Sequence, residues 1–260
     1  MIEPVTEKAV VPDCREQGRV RLAEPLLAFA TAILVAAGLY WVGQSVGFVQ
    51  QIMHGAIACM FILGPQVAAR LSGQPFDDRA AGIALRPIAP GLRVLGLALL
   101  ATWPAFILGF FLYYGTLCPG QGALHAWAQA LAPICSHWHG ILGMHLRLPE
   151  GFWILALSQL LVVAVPEEVF FRGYLMSRFE ARWPSRRRLW GAAVGWPLLV
   201  SSLLFALGHF LVDFQPARLA VFFPALAFGW MRSRSGSVAP GAVFHALCNL
   251  LSEVLHEAFF

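Results

Sequence analysis

An all-α, polytopic membrane helix bundle is the fold class this sequence predicts, and three observations predict it. Charged residues make up 12% of the chain and hydrophobic ones 58%, where a soluble domain carries about 25% charge. The apolar residues gather into runs close to the ~20 residues that a spanning helix needs. The arginines gather between those runs. A formal charge of +4 could suggest nucleic acid. No soluble segment remains to carry such a face, so a nucleic-acid partner is excluded and the cations are read as setting topology.

At the start of the chain, residues 1–25 are polar and mixed in charge. They lack the short apolar core and small-residue cleavage site of a signal peptide, so they are expected to form a cytoplasmic tail. Apolar runs then span about 26–48, 51–69, 92–114, 151–175, 189–212, 217–231 and 238–258. The sixth is short for a span. Seven helices are expected, or eight if another hides within 120–145. The organisation is therefore a tail (1–25), N-terminal membrane helices (26–114), an extracytoplasmic loop (115–150) and a C-terminal set of core helices (151–260).

Charge sets the orientation. With the N-terminus inside, the inner segments receive Lys8, Arg15, Arg19, Arg21, Arg70, Arg79, Arg86 and Arg93. They also receive Arg172, Arg178, Arg182, Arg186, Arg187, Arg188, Arg232 and Arg234. Only Arg147 and Arg218 fall outside. Short inner loops rich in Arg are what the positive-inside rule weighs. The 115–150 loop holds Cys118, Cys135, His125, His137, His139 and His145. On the oxidising face, a disulfide between Cys118 and Cys135 is compatible with this topology. Cys14, Cys59 and Cys248 are expected to be free. His137 and His139 have no cysteine or carboxylate at a zinc-motif spacing, so they read as loop residues.

A few polar groups are not explained as loops. They are Glu167, Glu168 and Arg172 on the fourth run, His209 on the fifth, and His245 and Asn249 on the seventh. An Asp, Lys or Arg at the centre of a membrane helix costs about 2.5–3.5 kcal/mol even on the most lenient scale. Glu168 and Arg172 stand four apart with the acid first, the favoured order for an ion pair on one helix face. Glu167 lies about 100° around the helix and is left without that partner. His245 and Asn249 share a face, as do Phe205 and His209. Gly208, Gly241, Ala242 and Ala246 would let neighbouring helices approach closely. A carboxylate in a low-dielectric site holds a proton more tightly than in water, and such a base can deprotonate water. Imidazole and amide donors can stabilise an oxyanion. Cys248 lies on a different face, and no serine or cysteine has an activating neighbour. The pattern fits water attack on a carbonyl without a covalent intermediate. The residues alone leave two alternatives open: Glu167, His209 and His245 holding a metal, or a non-catalytic transport or immunity protein with a buried proton relay. The chain shows no paired inverted repeats with broken helices, which transporters often carry.

Glu167-Glu168-x-x-x-Arg172, Phe205-x-x-x-His209 and His245-x-x-x-Asn249, in that order on successive runs, resemble the three motifs of the CAAX protease and bacteriocin-processing family of glutamic intramembrane endopeptidases. The resemblance covers roughly 155–255. It implies that Glu167 with His209 activates water, that His245 and Asn249 form the oxyanion site, and that Glu168 and Arg172 hold the helix geometry. It implies no metal and no cofactor. The partners it implies are a membrane-associated protein or peptide substrate and the lipid bilayer. The Arg-rich, Lys-poor composition suits a bacterial inner membrane, and the charge distribution puts the N-terminus in the cytoplasm.

Seven spans put the C-terminus outside. A phosphatase that is active only outside the cytoplasm, fused after Phe260, is expected to be active, and a fluorescent protein fused there to stay dark. The opposite pair of results would mean an eighth span.

Overall fold

Seven long helices form among the described residues, one for each apolar run: α1 (Ala23–Gly43), α2 (Gly47–Ser72), α3 (Ile88–Leu117), α4 (Phe152–Arg182), α5 (Trp196–Asp213), α6 (Phe222–Ser235) and α7 (Ala239–Phe259). The computed structural model describes residues 22–83, 88–118, 126, 138–145 and 147–260. The tail up to residue 21, with Cys14, lies outside the described residues, as do Arg86, His125, Cys135 and His137. Cys118 is disulfide-bonded, and Cys59 and Cys248 are free. The protein is an all-α integral membrane bundle.

Five of the helices, α1 to α5, are long and apolar enough to cross a bilayer. The 14 residues of α6 reach only ~21 Å at ~1.5 Å per residue, against a hydrocarbon core of ~30 Å. A 3₁₀ segment, Pro216–Val221, leads into it. In α7 the residues Glu253, His256 and Glu257 dilute the apolar run.

Helix ends follow local chemistry. Gly73 and Gly236 take left-handed conformations (φ 68° and 73°) directly after α2 and α6, a geometry that costs glycine little. Pro197 sits in the first turn of α5, where its missing N–H is harmless. One boundary differs from the sequence expectation. The fifth run was expected to begin near 189, but residues there form a small antiparallel hairpin, β1 (Arg187–Leu189) and β2 (Ala192–Val194). The helix starts only at Trp196. Trp190 and Gly191 turn the hairpin with positive φ, which a helix cannot accommodate.

α4 is the centre of the bundle. It packs against α2, α5, α6 and α7, while α1 pairs with α2 and α5. Phe170, Phe171, Tyr174 and Phe179 of α4 meet Phe61 of α2, Phe205 of α5 and Phe228 of α6 in the main apolar core. Two stretches of α4 are π-helical, Gln159–Ala164 and Val169–Leu175, and they bracket a single α-helical turn, Val165–Glu168. Pro166 has no N–H to offer the preceding turn and its ring crowds it, which accounts for the first widened segment.

Arg172 is fully buried on α4, as its pairing with Glu168 implies, whereas Arg178 and Arg232, assigned by the sequence to inner segments, are interior clamps. Arg178 pairs with Glu24 at 3.1 Å and donates to the carbonyls of Gln74 (2.9 Å) and Pro75 (3.0 Å). Arg232 pairs with Glu180 and donates to Ser177 Oγ at 2.7 Å. Together they tie α1, the loop after α2, α4 and α6 at one end of the bundle. Glu24 does this from inside α1, which begins at Ala23.

Breaking a buried pair by removing one partner costs about 3–5 kcal/mol, because the other charge is left uncompensated. Arg178→Ala is expected to lower unfolding stability in detergent by that order. Arg182→Ala, an exposed position, should change it by less than ~0.5 kcal/mol. Equal stability of the two variants would show that the Glu24–Arg178 clamp contributes nothing.

Candidate active site

The helical turn between the two π-helical stretches carries Glu167 and Glu168, and it turns them in different directions. Glu168 faces inward and is fully buried. Arg172 donates from Nη1 to Glu168 Oε1 at 2.9 Å and from Nη2 to the Ala225 carbonyl of α6 at 3.2 Å. The guanidinium lies between aromatic rings, 4.3 Å from the centroid of Phe205 and 4.9 Å from that of Phe228. A cation desolvated against ring faces is partly compensated by their quadrupoles. α7 comes close enough to reach this pair because residue 241 is glycine. A Cβ there would stand 3.2 Å from Glu168 Oε2.

Glu167 faces α5 and α7 instead. Its Oε2 lies 3.9 Å from His209 Nε2 and 3.8 Å from His245 Nε2. No described residue donates to that oxygen, although it is buried. Both separations exceed a direct hydrogen bond and suit groups bridged by one water. The ring orientations are fixed from behind. His209 Nδ1 is 2.9 Å from the Phe205 carbonyl, which can only accept, so Nδ1 carries the proton and Nε2 presents a lone pair in the neutral ring. His245 Nδ1 is 3.3 Å from Glu168 Oε1, a contact that likewise puts a proton on Nδ1. The His245 ring is stacked on Phe228, with centroids 4.8 Å apart and 16° between planes.

The structure thus brings Glu167, Glu168, Arg172, His209 and His245 into one cluster. Asn249 stands one turn beyond His245 on α7, and its Nδ2 donates to Gln159 Oε1 on α4 at 2.9 Å. One amide hydrogen of Asn249 is left over from that bond.

A cleft of about 400 Å³ reaches this cluster, within the range of ligand pockets. Glu167 and His209 line it, with Ile33, Ile57 and Phe61 as apolar wall. Gln44, Gln50, His54 and the Asp213–Arg218 pair lie at its polar end. His209 and Glu167 keep 24% and 15% of their side chains exposed, whereas His245 keeps 6% and sits behind them. Water or substrate entering the cleft therefore meets Glu167 and His209 first.

Three atoms with lone pairs face each other here, so the same geometry bears on metal binding. Ligands of a tetrahedral zinc at ~2.0 Å lie ~3.3 Å apart. These atoms stand about half an ångström wider from Glu167. No cluster of three or more metal-ligating side chains forms among the described residues. His139 is exposed, and its partner in the His-x-His pair lies outside the described residues.

The sequence reading missed several contributors. Gln159 is an amide within an apolar run, two turns before Glu167, and that alone could have marked it. Phe205, noted there for sharing a face and a motif with His209 but given no role, supplies both the ring against Arg172 and the carbonyl that orients His209. Phe228 and Ala225 gave no signal, since an apolar residue on a short helix looks the same whether it packs on lipid or on a buried cation.

Comparison with curated proteins and with solved structures returned no match. Residues 149–251, which span Gln159, Glu167 and both histidines, match the family model described as Type II CAAX prenyl endopeptidase Rce1-like. The matched stretch carries the helices that build this cluster and is similar to the CAAX protease family of membrane proteases.

Proposed function

We propose that the protein is a glutamic intramembrane endopeptidase that cleaves a membrane-associated protein or peptide by direct water attack. The observation that carries this reading is the set of distances from Glu167 Oε2 to the two histidine Nε2 atoms, 3.8 and 3.9 Å. A water at their centre could donate one hydrogen to Glu167 and the other to His209. Glu167 takes the proton as the oxygen attacks the carbonyl carbon. The oxyanion is met by the free Nδ2 hydrogen of Asn249 and by His245 after its Nε2 has taken a proton from solvent, with Glu168 holding the Nδ1 proton. Glu167 then returns its proton to the departing amide nitrogen as the C–N bond breaks. Water is consumed, and a carboxylic acid and an amine leave. Glu168 and Arg172 position the helix and touch no substrate.

In this reading residues 151–260 are the catalytic core. Residues 26–114 supply α1 and α2 as the far wall of the cleft, and 115–150 is an extracytoplasmic loop. The tail, 1–25, is cytoplasmic, and the membrane is a bacterial inner membrane. The alternative, a metal-dependent protease with Glu167, His209 and His245 as ligands, would need these atoms to close by about half an ångström. Metal analysis of purified protein and sensitivity to chelators separate the two.

Purified protein is assayed against a library of membrane-inserted peptides. General-base catalysis contributes about 10²–10⁴-fold, so Glu167→Gln is expected to lose activity on that order. An oxyanion donor contributes about 10²–10³-fold, which sets the expectation for Asn249→Ala. In H₂¹⁸O, one ¹⁸O should appear in the new C-terminal carboxylate. Full activity of Glu167→Gln on a substrate that the wild type cleaves would overturn the mechanism.

A further inference from the structure

A second cavity, of about 660 Å³, lies between the β1–β2 hairpin and helices α3, α5 and α6, away from the Glu167 cluster. Its wall is apolar, built by Leu97 and Ala101 of α3, Leu198 of α5 and Leu226 of α6. Its end is cationic. Arg187 of β1 and Arg234 of α6 both line it, and both are exposed. Neither has a carboxylate partner among the described residues; Glu180, the acid at this end of α4, is taken by Arg232.

The hairpin and Arg234 are held in place. Trp230 Nε1 donates to the Leu189 carbonyl at 3.0 Å, fixing the hairpin over the cavity. The hairpin turn rests on the Arg234 guanidinium so closely that a Cβ on Gly191, itself at φ 80°, would overlap it. Trp190 and Trp196 beside it are 78% and 68% exposed, the exposure expected of tryptophans at the headgroup level. From Leu226 to Arg234 is eight residues, or ~12 Å along the helix, enough for the upper part of one acyl chain.

We propose that this cavity binds one anionic phospholipid, its phosphate between Arg187 and Arg234 and one acyl chain along the groove. An open apolar groove in a bilayer takes a lipid tail. Two unpaired guanidinium groups at its end favour a headgroup whose negative charge is not cancelled by an attached cation. The hairpin links α4, which carries Glu167, to α5, which carries His209, so the lipid sits where those two helices are joined.

Native mass spectrometry of the purified full chain tests this with phosphatidylglycerol and phosphatidylcholine of matched acyl chains. The wild type should retain phosphatidylglycerol at least tenfold better. R187Q/R234Q should lose that preference, and L226W, which fills the groove and keeps both charges, should retain either lipid at least tenfold less. Soluble glycerol phosphate at the same concentration should displace nothing. A phosphatidylglycerol preference that survives in R187Q/R234Q, or wild-type retention by L226W, overturns the proposal. Displacement by glycerol phosphate would make this an anion site rather than a lipid site. If R187Q/R234Q does not fold, L226W decides alone.

Discussion

The fully buried ion pair between Glu168 and Arg172 is the constraint on which the rest of the structure depends. Neither ion keeps any contact with solvent, and removing one alone would strand the other in a low-dielectric interior. The surroundings are arranged to compensate both. Phe205 and Phe228 cover the guanidinium, the Ala225 carbonyl takes a second hydrogen bond, and His245 Nδ1 approaches the carboxylate. These partners come from α5, α6 and α7, so one pair on α4 fixes three neighbouring helices. Once Glu168 is committed to the interior, Glu167, its neighbour in sequence, points elsewhere, toward the imidazoles of His209 and His245.

Widened turns on both sides of the Glu167–Glu168 turn change how α4 presents itself. A π-helical segment advances fewer degrees per residue than an α-helix, so each one re-aims the side chains beyond it. Such bulges occur frequently at functional sites. Here the first places Gln159 against Asn249. The second carries Phe170, Phe171 and Tyr174 into the aromatic core. α4 is thereby both the central packing element and the carrier of the acid at the end of the cleft. The N-terminal helices, which carry none of the three motifs, still furnish the cleft with Ile33, Phe61, Gln50 and His54.

Much of this was legible before any coordinates. Spacings of four residues translate directly into shared helix faces, which is why the Glu168–Arg172 pair and the separate direction of Glu167 could both be read from the chain. Seven apolar runs mark seven helices for the same reason of periodicity and length. What stayed hidden depends on contacts far apart in sequence or on structure with no period. Glu24 meets Arg178 across 154 positions, so Arg178 looked like one more loop cation. Leu189 to Val194 is as apolar as the start of a span, and three-residue strands are too short to show alternation. Pro166 announces a disturbed helix without saying that the turn widens rather than breaks.

The most direct measurement is a double-mutant cycle on unfolding stability in detergent, using Arg172→Met, Glu168→Gln and the combination. With the pair as the organising interaction, Arg172→Met should cost about 3–5 kcal/mol, and adding Glu168→Gln should restore a large part of it by removing the stranded charge. Additive losses in the double variant, or an Arg172→Met protein as stable as the wild type, would contradict the account.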